Sequence, residues 1–260
     1  MAPMTMMMAS PAAFGRGGHV RSASVPSQRH PLLTHVDDQL RALRSWTSDP
    51  GQNPLALAHV RALLCVLDEL TPLMPLSSSS RLLDAFLALA DAYGSFLAAL
   101  LALRQHAADL RAAVRRRDPA KLASAARAQR RAAKELTGLA TAVARCSPIH
   151  AAAGFSSELE VARTVAQAVS DTAAASASVF HQVAFLADAA AATALAVSSS
   201  SSSKKRTKHA AGEEMHKDVA VARLQELEQC VGELESESEK VFRSLLHTRV
   251  SLLNIHTPTI

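Results

Sequence analysis

The most definite chemistry in the sequence belongs to Arg21-Ser22-Ala23-Ser24-Val25-Pro26, near the start of the 260-residue chain. Arg21 lies three residues before Ser24 and Pro26 two after it, a spacing that suits a kinase selecting basic residues. Phosphorylation of Ser24 would add about two negative charges and three acceptor oxygens. Arg clusters in 14-3-3 proteins read phosphopeptides of this form. Arg21, Ser22, Ser24 and Pro26 are thus the candidate modification motif, with 14-3-3 proteins as a candidate partner.

The other reactive residue types form no such pattern. There is no phosphate-cradling glycine loop, nucleophile elbow or paired-histidine zinc motif. Gly15, Gly17 and Gly18 lie outside any strand–turn–helix context. His106 and Asp109 fall one helical turn apart, but nothing near them in sequence supplies a nucleophile, so a surface hydrogen bond is the expectation. Cys65, Cys146 and Cys230 are odd in number and widely separated, and the eleven histidines are scattered. Neither set suggests a metal site, and the cysteines suggest a reducing compartment. The expectation is a protein that is not an enzyme, with no catalytic residue, cofactor or metal.

The elements that would position any partner-binding residue are helices. Nearly half the residues are apolar, mostly Ala and Leu, while aromatic residues make up only 3%. Ala and Leu lose little side-chain entropy in a helix, and strand-favouring residues are sparse. A first helix is predicted from about Pro31 to Trp46, with Leu33, Val36, Leu40 and Leu43 on one stripe. Asn53 and Pro54 predict the cap and first turn of a second, striped by Leu57, Val60, Leu64 and Leu67. A third opens at Ser77–Ser80 and can reach Arg117. Asp118 and Pro119 cap and start a fourth, which reaches about Cys146. Ser157 and Glu160 form a capping box for a fifth, ending near Val197. That fifth helix is rich in Ala, which gives propensity but little packing specificity.

The last helix, from Glu213 to about Ile255, has the clearest pattern. Leu224, Leu227, Val231, Leu234, Val241, Leu245 and Leu252 fall on alternating three- and four-residue steps, with Ser238 and Thr248 in the missing positions. This is a heptad seam with polar interruptions. It predicts packing against the chain's own helices, with self-association through the seam as the alternative.

Charge is divided along the chain. Arg104, Arg111, Arg115, Arg116, Arg117, Lys121, Arg127, Arg130, Arg131 and Lys134 crowd into one block. Glu213, Glu214, Asp218, Glu226, Glu228, Glu233, Glu235, Glu237 and Glu239 crowd into another, and the net charge is +5. Opposite blocks can pair internally or steer a partner. Without interleaved aromatic residues, the basic block is a poor nucleic-acid surface. It remains a candidate membrane-surface contact.

Residues 1–30 read as a disordered tail, although Arg16, Arg21, Arg29 and several serines ahead of Asp37, the first acidic residue, also resemble a transit peptide. Ala85–Leu103 and Thr172–Val197 are apolar enough to invite a membrane test. Asp91 and Gly94 interrupt the first, and His181 and Asp188 the second, so both read as buried bundle helices. Residues 198–212, rich in Ser and Lys, form a linker whose Lys204–Lys208 run would also serve as a nuclear import signal.

Arg21–Ser27 with His30-Pro31, Trp46, and the ending Val241-Phe242-Arg243 through Thr248–Ile255 together resemble the plant-specific BYPASS-like family. The resemblance spans roughly residues 21–255 and is weakest in the Ala-rich middle. It implies a plant source, a helical fold and an association with root and shoot development, and it brings no catalytic residue. The expected architecture is all-α: an elongated bundle of about six helices. Its parts are a tail (1–30), a helical bundle (31–197), a linker (198–212) and a long C-terminal helix (213–256) packing on the bundle. The expected function is non-enzymatic interaction with protein partners in plant development, in the cytoplasm, with nucleus or plastid as other compartments. Peripheral membrane or organelle association is the alternative.

Overall fold

The computed structural model describes residues 30–49, 57–74, 76–146, 157–201 and 210–256. Among these there are six α-helices, one short 3-10 turn and no strand. The helices are α1 (Pro31–Ser48), α2 (Ala58–Leu70), α3 (Leu76–Arg116), α4 (Pro119–Ala144), α5 (Ser157–Ser201) and α6 (Ala210–His256). The all-α bundle read from the sequence is the fold. At 1.5 Å per residue, the 41 residues of α3 make a rod about 60 Å long.

The four long helices α3, α4, α5 and α6 form a ring in which each packs on the next, and α6 closes back on α3. Arg104 meets Glu235 and Arg111, one heptad on, meets Glu228, one heptad back, so α3 and α6 run in opposite directions. The α1–α2 pair lies across α5 and α6. Its predicted stripes are its buried faces: Leu33, Val36, Leu40 and Leu43 in α1, and Leu57, Val60, Leu64 and Leu67 at the start of and within α2.

Local signals set most of the helix ends. Asp118 caps α4 by accepting from the Lys121 backbone N–H at 3.0 Å, and Pro119 takes the first helical position, where a missing N–H leaves nothing unpaired. Just before it, α3 ends in a Schellman turn. The Asp118 N–H reaches the Ala113 carbonyl, the Arg117 N–H reaches that of Val114, and Arg117 takes the left-handed conformation at φ 54°. Two residues thus reverse the chain.

Three boundaries differ from expectation. The second helix begins at Ala58 behind Leu57, which offers no side-chain cap, while Asn53 and Pro54 lie outside the described residues. The fifth continues past Val197 to Ser201, and the sixth starts at Ala210, because serine and alanine tolerate helix once a packed helix leads into them. The Ala-rich α5 packs against every other helix. Its exposed residues form one stripe through Arg163, Gln167, Ala174, Ser178, His181, Gln182, Phe185, Asp188, Ala192 and Ala196. Its small side chains let neighbours approach on three sides.

Candidate interaction surfaces

The heptad residues of α6 face inward. Leu224, Leu227, Val231, Leu234, Val241, Leu245 and Leu252 are all buried within the chain, where α6 lies along α3, α2 and α5. Ser238 and Thr248, the interruptions, are buried too, and neither hydroxyl has a hydrogen-bond partner among the described residues. Opposite them, α3 carries a seam that the sequence reading missed: Leu82, Phe86, Leu89, Tyr93, Phe96, Leu100, Leu103, Ala107, Leu110 and Val114, all buried in unbroken three- and four-residue steps. The signal was there, but Leu83, Leu87, Leu97 and Leu101 lie between those positions and blur its period.

Ion pairs flank this interface. Arg104 meets Glu235 at 2.7 Å and Arg111 meets Glu228 at 3.1 Å, so partners seven residues apart on α3 pair with partners seven apart on antiparallel α6. Arg117 adds Glu214 at 3.0 Å. The Glu214 carboxyl is held below its usual range, first by the hydrogen bond and charge of Lys217 and then by Arg117. Lys240 does the same for Glu237.

The ten basic residues of Arg104–Lys134 fall into two sets. Arg104, Arg111, Arg117, Lys121 and Arg130 each have a carboxylate partner, the last two being Asp118 at 3.7 Å and Asp188 at 3.5 Å. Arg115, Arg116, Arg127, Arg131 and Lys134 have none among the described residues. Arg127, Arg131 and Lys134 lie at i, i+4 and i+7, on the side of α4 opposite its buried Ala126, Gln129 and Ala133. They form an exposed basic ridge.

One buried polar contact joins α3 to α5. The Tyr93 hydroxyl lies 2.8 Å from the Ser176 hydroxyl, which donates to the Thr172 carbonyl at 2.7 Å. Burial pushes the Tyr93 phenol well above its usual value, against a smaller opposing effect of the Ser176 hydrogen bond. The Tyr93 ring meets Phe96 and Phe180 edge-on, and those two stack with centroids 3.9 Å apart. The hydroxyl pair thus ties α3 to α5 inside an aromatic cluster.

The remaining candidates are dispersed. Half-buried His106 and exposed Asp109 line an open cleft between α3 and α4 with Arg116, Lys121 and Ser124, and Asp109 accepts from Gln105 at 3.2 Å. No group of three or more His, Cys, Asp or Glu able to hold a metal occurs among the described residues. Cys65, Cys146 and Cys230 are free thiols, and burial raises the pKa of the latter two. Ser80–Arg116 and Leu159–Val197 are long and apolar enough to cross a membrane by length and composition, and both contribute buried faces to the bundle. Arg21, Ser22, Ser24 and Pro26 lie outside the described residues.

The model of one protein family, described as Protein BPS1, matches residues 75–255. The chain belongs to this family. No curated protein and no solved structure matches the chain. The BPS1 match covers the whole ring of α3, α4, α5 and α6, including the Ala-rich middle where the resemblance read from sequence was weakest. It takes in the family-like ending Val241–Ile255. The Arg21–Ser27 motif and Trp46, which carried the other end of that resemblance, lie before it.

Proposed function

We propose that this BPS1-family chain is a non-enzymatic, cytoplasmic interaction protein serving plant root and shoot development or signalling. The observation that carries the reading is the family match over residues 75–255, the α3–α6 ring. The packing fits it. The ring's interior is filled mainly by apolar side chains, with one aromatic cluster among them, and the exposed charges form ridges and line grooves. Proximity labelling in root and shoot cells tests it. The expected result is a reproducible set of neighbouring signalling proteins; no enrichment over a cytosolic control counts against the reading. Phosphorylated Ser24 supplies one partner chemistry, 14-3-3 proteins. A phosphorylated peptide spanning residues 16–31 should capture them, and the unphosphorylated peptide should not.

The basic ridge supports a second reading, peripheral association with an anionic membrane. Lys and Arg near such a surface contribute about 1 kcal/mol each. Flotation with anionic liposomes at physiological salt separates the two. A chain that stays in the bottom fraction supports the first reading. A chain that floats, and stops floating when Arg127, Arg131 and Lys134 are changed to Glu, supports the second.

A further inference from the structure

The groove between α5 and α6 is filled along only part of its length. Toward the start of α5 and the end of α6 it is covered by α1 and α2, held by Arg44–Asp171 at 2.6 Å, Arg61–Glu237 at 3.8 Å and the Ser251 hydroxyl on Asp68 at 3.0 Å. Beyond the start of α2 the groove is open. A cavity of about 430 Å³ remains there, lined by Phe185, Leu186 and Thr193 of α5 and Arg223, Glu226 and Cys230 of α6.

This open face carries three features that belong together. Phe185 stands 69% exposed at its rim, the most exposed large apolar side chain among the described residues. Met215 and Val219, also exposed, extend the apolar surface along α6. Arg223 and Glu226 both line the cavity, and neither has an ion-pair partner among the described residues. A face with one unpaired cation and one unpaired anion, a projecting ring and a hollow beside it is complementary to itself. Two-fold symmetry places residue i against j and j against i, so one rotation satisfies both charges and both rings at once.

We propose that this face binds a second copy of the same chain, with each Phe185 ring entering the partner copy's groove and each Arg223 meeting the partner copy's Glu226. The interface continues the one that α1 and α2 already occupy, and it is separate from the buried heptad seam of α6. Phe185–Val197 beside Met215–Cys230 gives a strip about 20 Å long and two helix diameters, about 20 Å, wide. Its projected area of roughly 400 Å² is below the ~800 Å² per partner of a standard interface, so a micromolar dimer is expected. The inference does not depend on the proposed function, and its failure would leave that reading standing.

Sedimentation equilibrium of the full chain, from about 1 to 200 µM, tests it. The wild type should show a monomer–dimer equilibrium within that range. Phe185→Asp should be monomeric with unchanged helicity and unfolding midpoint, because the side chain is exposed. Arg223→Glu and Glu226→Arg should each be monomeric alone and dimerise when mixed, since every pair across the mixed dimer then joins opposite charges. A wild type that stays monomeric overturns the proposal and leaves the groove to a different protein. So does a Phe185→Asp chain that dimerises like the wild type. Single charge variants that are monomeric alone and do not recover on mixing overturn the two-fold pairing.

Discussion

Along α3 and α6 the chain packs large side chains at heptad spacing and brackets them with ion pairs. Along α4 and α5 it packs alanines, with a single buried amide between the helices. Gln129 donates to the Ala187 carbonyl at 3.5 Å, and its own Oε1 has no partner among the described residues. Both interfaces bury a full helix face. They specify it by opposite means: α3–α6 by side-chain volume that must be present, α4–α5 by volume that must be absent. Removing atoms should therefore damage the first interface, and adding atoms the second.

The largest expected effect is on the volume-rich side. Leu103→Ala leaves a cavity in the α3 seam, where Leu103 is fully buried. It should lower the unfolding free energy in urea by about 2–5 kcal/mol. Ala187→Leu is the reciprocal test on α5, where Ala187 is also fully buried. Overpacking there should cost about 1–3 kcal/mol, while Ala192→Leu on the exposed stripe of the same helix should change stability by less than about 0.5 kcal/mol. If Ala187→Leu is as harmless as Ala192→Leu, the close packing assigned to α4–α5 is wrong.

The same contrast explains what could be read from the sequence. Residues whose effect is local were legible: Asp118 and Pro119 mark a helix start whatever lies around them, and Leu33 to Leu43 form an isolated stripe between polar positions. The α6 seam stood out because Glu, Lys and Ser fill the positions between its leucines. On α3 the intervening positions are leucines as well, so only the fold picks out Phe86, Tyr93, Phe96 and Leu100 as the inward set. Alanine gives no periodic signal, because an inward Ala175 and an outward Ala174 look alike in sequence. That is why the sequence of α5 shows little packing specificity, although the helix touches all the others. The internal pairing of the charge blocks was foreseeable, but which five cations stay unpaired depends on helix register and was not.

Smaller effects sharpen the comparison within α3–α6 itself. Thr248 sits at a seam position, buried, with a hydroxyl that has no partner among the described residues. Thr248→Val keeps the shape and removes the desolvated group, so it should raise stability by about 1 kcal/mol. A raised urea midpoint with an unchanged m-value is the expected reading. A loss would mean that the hydroxyl is satisfied in solution, by water entering the seam.

The smallest effect concerns the ion pairs. Arg104 and Glu235 are 49% and 30% exposed, so screening by water leaves little of their attraction, however short the 2.7 Å contact. A double-mutant cycle of Arg104→Met and Glu235→Gln should give a coupling of about 0.2–1 kcal/mol that shrinks as salt rises. The same cycle on Arg111 and Glu228, which are 28% and 19% exposed, should give the larger and less salt-sensitive value. Equal couplings at the two sites would argue that the pairs act as separate surface contacts. A gradient that follows burial would argue that they belong to the α3–α6 interface and help select α6, rather than another helix, as the partner of the α3 seam.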